Sequence, residues 1–170
     1  MARAVFGSGA IAACLATALA GCSLQQGIAQ GSGSQGQPAV SAPAINAATL
    51  DGGTFSWAST RGRPAVIDFW GSWCGPCRAQ QHDLNAIAAR YAGRVLFLGV
   101  DMRDDTAAAR AYLHDYAVTY PSVADPAEQI SAAYDVAAPP TVIVVDAQGR
   151  IVDRLLGTLT GLRTRLDSLR

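Results

Sequence analysis

The sequence predicts an α/β domain whose central sheet carries helices on both faces. Two observations support this fold class: from residue 44 onward short apolar runs alternate with stretches of helical periodicity, and turn or capping residues separate them. With 170 residues, 50% of them hydrophobic, the chain can form one such domain behind an N-terminal segment. The 13 basic and 13 acidic residues balance, so nothing indicates a nucleic-acid partner.

The first 21 residues have the pattern of a secretion signal. Arg3 and the amino terminus supply positive charge, and the apolar run at 10–20 is shorter than the roughly 20 residues that span a bilayer. The run ends in Leu-Ala-Gly-Cys, which resembles the lipobox of bacterial lipoproteins. We therefore predict a lipoprotein signal peptide over 1–21 and lipid attachment at Cys22. An ordinary signal peptide followed by a chance cysteine is the alternative.

Residues 22–43 are rich in Gly, Ser and Gln and show no periodicity, which is typical of a flexible tether. Together with an acylated cysteine, such a tether would hold the domain at 44–170 beside the cell membrane, on its extracytoplasmic side.

The first half of the domain predicts a hairpin, two buried strands and a helix between them. The Asp-Gly-Gly turn at 51–53 indicates a small hairpin over 50–57. Apolar runs at 65–70 and 95–100 are typical of strands buried on both faces. Pro76 suits the start of a helix that Gly93 would end, and its apolar face comprises Cys77, Leu84, Ile87, Ala88 and Tyr91.

The second half predicts a helix, a strand, a short helix, a hairpin and a closing helix. Asp104 and Asp105 can cap a helix that extends to about residue 116, before a short strand at 120–123. A cap at Asp125, followed by proline and an acid at the third helical position, predicts a helix ending at residue 134. Runs at 141–145 and 151–156 flank a turn, and a helix is expected at 161–170.

Two cysteines separated by two residues, Cys74 and Cys77, stand at the start of the first predicted helix. Unpaired N–H groups and the helix dipole at a helix N-terminus favour a thiolate, so Cys74 is the expected attacking thiol. Cys77, one turn further in, faces the packed side and can resolve a mixed disulfide.

A zinc site and a structural disulfide are the two other uses of this cysteine pair, and both agree less well with the sequence. A zinc site normally needs four ligands, and the sequence has no second ligand pair, only His82, His114 and carboxylates. A purely structural disulfide of this short span would restrain little chain entropy. Redox chemistry explains the spacing better, and it needs no metal and no cofactor beyond the Cys74–Cys77 disulfide.

The segment at 68–77, DFWGSWCGPC, resembles the thioredoxin active site. Together with the lipobox, the early hairpin and the helix before Tyr120, it makes residues 44–170 similar to the TlpA/ResA-like group of membrane-anchored thioredoxins. The resemblance implies a thioredoxin-like three-layer fold: a central mixed sheet between helices, with an N-terminal β-hairpin and a helical insertion.

The resemblance also assigns site residues. Pro140 matches the family's cis-proline, which with Thr141 borders the disulfide, and whose loop pairs with bound peptide. Asp68 matches the buried acid that exchanges a proton with the resolving cysteine; a purely structural carboxylate is the alternative. The implied substrate-binding surface comprises Trp73, Gly75, Pro76, Pro140 and Thr141.

Two positions depart from the anchored relatives. Gln80 stands where they often carry an acid, and His82 stands where they often carry proline. Gln80 cannot supply a charge, which leaves Asp68 as the candidate proton acceptor. Whether His82 tunes the site or is only a solvated polar residue stays open at this point.

The predicted function is dithiol–disulfide exchange with exported proteins. The protein is expected to be a monomer that exchanges electrons with a membrane redox partner. The reducing direction is favoured, as in cytochrome c maturation by the ResA-like group. A disulfide-forming oxidase is the alternative, followed by a peroxiredoxin-like peroxidase and a non-catalytic binding lipoprotein.

Overall fold

The computed structural model describes residues 40–169. The predicted signal peptide, Cys22 and the tether up to residue 39 lie outside the described residues. The described strands are β1 (Asn46–Ala48), β2 (Thr54–Ser56), β3 (Ala65–Trp70), β4 (Leu96–Met102), β5 (Ser122–Asp125), β6 (Thr141–Val145) and β7 (Ile151–Leu156). The α-helices are α1 (Gly75–Arg90), α2 (Thr106–Asp115), α3 (Gln129–Ala133) and α4 (Leu162–Ser168). None of the described helices is long and apolar enough to cross a bilayer.

The central sheet has five strands in the order β5-β4-β3-β6-β7. β3 and β4 run parallel, as do β4 and β5, whereas β6 is antiparallel to both β3 and β7. The strands β1 and β2 form a separate antiparallel hairpin. This confirms the predicted mixed sheet and the N-terminal hairpin, and the helix predicted before Tyr120 is α2.

The core divides between the two faces of the sheet. All six side chains of β3 are buried, as its continuous apolar run predicts. On one face, Ile67 and Phe69 pack with residues of the β1–β2 hairpin and the α3 region. On the other face, Val66 packs against α1 and α4, and Trp70 packs against α1 and α2. The sheet is therefore covered on both faces.

The start of α3 differs from the sequence prediction. The predicted cap, Asp125, is still paired with Met102 in the sheet, and the helix begins later, behind Glu128 in a left-handed conformation with φ of 54°. The Asp125 carboxylate nevertheless accepts hydrogen bonds from the N–H groups of Ile130 and Ser131. The acid thus binds the helix start across a loop, because the strand extends to Asp125.

Some residues before 44 pair with the central sheet. Ser41 forms a β-bridge with Arg150, and the N–H of Ala42 donates to the carbonyl of Gly149 at 2.8 Å. The N–H of Ile151 donates to the Val40 carbonyl. Residues 40–42 therefore pair with the β6–β7 hairpin.

Candidate active site

Cys74 and Cys77 form a disulfide at the start of α1. Cys74 is the N-cap residue, and its Sγ accepts a hydrogen bond from the N–H of Cys77 at 3.1 Å. β3 ends at Trp70, and the Cys74 N–H donates to the Gly71 carbonyl at 3.0 Å, which turns the chain from the strand into the helix. Both cysteine residues are buried.

The Pro139–Pro140 peptide is cis, as predicted. Phe69 is the register partner of Thr141, so Pro140 lies beyond the last paired position, beside the end of β3 from which the chain leads to Cys74. The Pro140 carbonyl accepts the N–H of Gly157 at 2.9 Å, and Thr141 Oγ1 donates to the Ala138 carbonyl at 2.8 Å. The cis loop is therefore held from both sides.

Trp73 is the exposed aromatic of the site, with 48% of its surface accessible. Its Nε1 donates to the Met102 carbonyl at 3.1 Å, and the Arg103 guanidinium lies 5.3 Å from the ring centroid. Gly71 makes this placement possible, because a Cβ there would lie 2.7 Å from Trp73 Nε1. With exposed Gly75 and Pro76, Trp73 presents an uncharged surface beside the disulfide.

Asp68 is a buried carboxyl group in the middle of β3. It belongs to the same strand face as Val66 and Trp70, which is the face that α1 covers. Burial raises the pKa of Asp68 to about 7, and a hydrogen bond from the Tyr120 hydroxyl at 3.1 Å opposes this rise. Asp68 can therefore gain or lose a proton near neutral pH.

A buried hydrogen-bond network connects Asp68 with α1 and α2, and the sequence analysis missed it. The Tyr120 hydroxyl accepts from Gln81 Nε2 at 3.0 Å, and the Tyr112 hydroxyl donates to Gln81 Oε1 at 3.0 Å. Gln81 is four residues after Cys77, so it occupies the same helical face one turn away. That spacing was the available signal: Gln81 interrupts an otherwise apolar buried face.

Gln80 and His82, the two positions that differ from the anchored relatives, lie at the surface of α1. His82 is exposed, and its ring lies 6.0 Å from that of Tyr116. Gln80 lines an open groove of about 610 Å³ between α1 and the β7–α4 loop, which also includes Pro76 and Leu159. Among the described residues, His, Cys, Asp and Glu side chains form no cluster of three that could hold a metal.

The mixed sheet, the helix-capping disulfide and the adjoining cis-proline together define a disulfide site on a thioredoxin-like fold. The family model described as Redoxin matches residues 35–166. The chain belongs to the Redoxin family.

Named relatives agree with this class. The chain is 35% identical over 95 residues to the thiol:disulfide interchange protein DsbE homolog of Paracoccus denitrificans, covering 55% of this chain and 51% of the relative. It is 25% identical over 112 residues to the thiol-disulfide oxidoreductase ResA of Bacillus thuringiensis, covering 65% of each. The chain thus matches about half to two thirds of the length of these relatives.

A solved structure shares the fold. It is described as a secreted Mycobacterium tuberculosis disulfide oxidoreductase homologous to Escherichia coli DsbE. The superposition has a TM-score of 0.67 at 29% identity and covers 74% of this chain and 96% of the other. The thioredoxin-like fold implied by the active-site segment is therefore confirmed.

Proposed function

We propose that this protein reduces disulfides in exported proteins through its Cys-Gly-Pro-Cys centre. The observation that carries the proposal is the Cys74–Cys77 pair at the start of α1, with a titratable acid, Asp68, on the sheet face beneath that helix. The named relatives support exchange chemistry as the class of reaction.

The exchange proceeds in two successive nucleophilic attacks. In the reduced protein the Cys74 thiolate attacks one sulfur of a target disulfide, which forms a mixed disulfide and releases one target thiolate. The Cys77 thiol then loses its proton to the Asp68 carboxylate and attacks Cys74 Sγ. This step releases the second target thiolate and closes the Cys74–Cys77 disulfide. Two electrons have passed to the target.

The surroundings of Cys74 favour the reducing direction. Within residues 40–169, Cys74 Sγ accepts one hydrogen bond, from the N–H of Cys77. Asp68 would add a negative charge beneath the same helix once it ionises. A protein becomes a strong oxidant when its reduced, thiolate form is well stabilised. An ionised Asp68 would oppose the Cys74 thiolate that the helix start favours, and this supports a reductant over the alternative, a disulfide-forming oxidase.

The target is an extended polypeptide segment that docks across the cis loop. Trp73 and Leu156 are exposed large apolar side chains, and Leu156 is the register partner of Thr141, beside Pro140. Pro139 and Pro140 have no N–H to donate to a peptide, and the Pro140 carbonyl already accepts the N–H of Gly157. We infer that affinity depends more on apolar contact than on backbone pairing.

The proposed location is the extracytoplasmic side of the cell membrane. Lipid attachment at Cys22 would anchor the chain, and a membrane redox partner would return electrons to the Cys74–Cys77 disulfide after each turnover. We propose that the protein works as a monomer.

Reduction of insulin disulfides by the dithiol form tests the proposed function. We expect turnover with dithiothreitol as electron source, and a reduction potential closer to thioredoxin, near −270 mV, than to a strong oxidant near −120 mV. Peroxide consumption is the control reaction and should stay at the uncatalysed rate. A reduction potential near −120 mV would indicate an oxidase instead of a reductant. Peroxide turnover without insulin reduction would contradict the proposed function and indicate a peroxidase.

Replacing the predicted lipidated cysteine should release the protein from the membrane. We expect Cys22→Ala to move the chain from the detergent phase to the aqueous phase and to remove the acyl groups from its intact mass, because two acyl chains give stable anchoring. Cys14→Ala is the matched control, because Cys14 lies inside the predicted signal peptide that is removed, and it should leave partitioning unchanged. Native protein recovered unacylated would contradict the lipoprotein assignment.

A further inference from the structure

The β4–α2 loop holds the segment that leads into Cys74. The Asp104 carboxylate accepts a hydrogen bond from the Ser72 backbone N–H and another from Ser72 Oγ at 2.9 Å. One residue further, Trp73 Nε1 donates to the Met102 carbonyl at 3.1 Å. Residues 71–73, here called the approach segment, are therefore bound to a loop about 30 residues away in sequence, as separations of 32 and 29 residues show.

A second carboxyl group, that of Asp101, interacts with Asp104. Asp101 lies in β4 and is 1% exposed, and the Asp104 side chain is one of the groups that raise its pKa. Its Oδ1 is buried and has no hydrogen-bond partner within residues 40–169. Asp104 also accepts the N–H of Asp105 at 2.8 Å, so three donors already bind its oxygens, whereas Asp101 Oδ1 has none. Asp101 is therefore the carboxyl group of the two that can supply a proton to the other.

We propose that Asp101 is a positioning residue: as a carboxylic acid it donates a hydrogen bond to the Asp104 carboxylate, which in turn holds the approach segment through Ser72. The inference deepens the proposed function, because it names a device that places Trp73 and Cys74. Its structural part does not depend on the direction of electron flow.

The charged groups around Asp101 are mainly acids. Burial, followed by the Asp104 carboxylate, raises the pKa of Asp101 to about 8, and Asp125 of β5 adds to the rise. On β3, Asp68 occupies the same sheet face and titrates near 7. From α2, Tyr112 stays protonated, because burial raises the pKa of its hydroxyl.

Cations border the approach segment but have other partners. Arg78 of α1 donates to the Ser72 carbonyl. Arg103 forms an ion pair with Glu128 at 3.1 Å and lies over the Trp73 ring. Above about pH 8, ionised Asp101 and Asp104 would repel each other, and Asp104 would hold Ser72 less firmly.

The test follows Ser72 itself, by its backbone amide resonance in the oxidised protein, where neither Cys74 nor Cys77 titrates. We expect the Ser72 amide and the Trp73 indole resonances to shift together with an inflection near pH 8. In Asp101→Asn the amide group can still donate to Asp104 but cannot ionise, so both resonances should stay at their low-pH positions up to pH 10. A native protein without this inflection, or an Asp101→Asn protein that keeps it, would overturn the inference.

Two further variants separate the possible causes. Asp68→Asn removes the other titratable carboxyl group of the same sheet face. The inflection near pH 8 should remain, because it belongs to Asp101. Asp104→Asn removes the charge that raises the pKa of Asp101, so any inflection of Trp73 should move to lower pH; an unchanged inflection would contradict the pairing, whether or not Asp101→Asn folds. Insulin reduction is measured in parallel. Its absence with an intact Ser72 inflection would refute the proposed function and leave the positioning role standing.

Discussion

Cys74→Ser is expected to abolish insulin reduction, with a loss of at least about 1,000-fold, because a hydroxyl neither ionises at neutral pH nor forms a mixed disulfide. The position of Cys74 as N-cap of α1, with Sγ accepting from the Cys77 N–H, is what assigns it the first attack. A serine hydroxyl can also cap a helix, so the fold should survive. Residual turnover in the stopped-flow assay is the measurement.

Cys77→Ser is the matched variant and should behave differently. The first attack still occurs, but the second cannot, so covalent complexes between Cys74 and target proteins should accumulate and be visible as dithiothreitol-sensitive bands on non-reducing gels. If Cys77→Ser turned over normally, or if only Cys74→Ser trapped targets, the two roles would have to be exchanged.

Asp68→Asn is expected to slow resolution of the mixed disulfide by about 100-fold, which is the scale of general base catalysis, while the first attack changes little. The Asp68 carboxylate can accept the Cys77 proton only when ionised, so native resolution should rise with pH through about 7. The variant should lack that rise. Stopped-flow measurement of the two half-reactions between pH 5 and 9 distinguishes them.

Tyr120→Phe provides the matched control for Asp68. Its hydroxyl donates to Asp68 and holds the pKa of that carboxyl down, so its removal should move the rise in resolution to higher pH without abolishing it. Equal resolution rates and equal pH profiles in native and Asp68→Asn proteins would reduce Asp68 to a structural residue.

Asp68 should also leave a signature in stability. Its pKa is raised from 3.8 to about 7 in the folded protein, so between these values the folded state binds a proton that the unfolded state has lost. Native stability therefore falls as pH rises through this window, by up to about 4 kcal/mol for a shift of about three units. Asp68→Asn removes this loss. The free-energy difference between the oxidised proteins should grow from pH 4 to pH 8, as measured by urea unfolding.

Local sequence patterns predicted most elements of the fold. The run at 65–70 became β3 without change, because a strand buried on both faces is apolar along its whole length. Pro76 and the cysteine spacing located the start of α1 for the same reason: helix termini depend on residues within one turn. The Pro-Pro step before β6 indicated the cis peptide, since such bonds are almost confined to proline.

Patterns of this kind failed where an element end depended on a neighbouring strand. Aspartate is a residue type that often caps helices, yet pairing with Met102 keeps Asp125 in β5. Likewise, residues 40–42 have the composition of a linker, yet they pair with the β6–β7 hairpin. In both cases a backbone partner far along the chain decided the conformation.

The sequence by itself determined the redox pair, its place at a helix start, and a lone acid in an apolar strand. The tertiary structure decided what that acid touches: Tyr120 is 52 residues from Asp68, and Gln81 is 39 residues from Tyr120. It also decided that Asp104 holds Ser72 and that the Asp104 carboxylate raises the pKa of buried Asp101. Helix and strand periodicities report which face a residue occupies, whereas partners across a sheet follow from strand order and register, which only the assembled fold specifies.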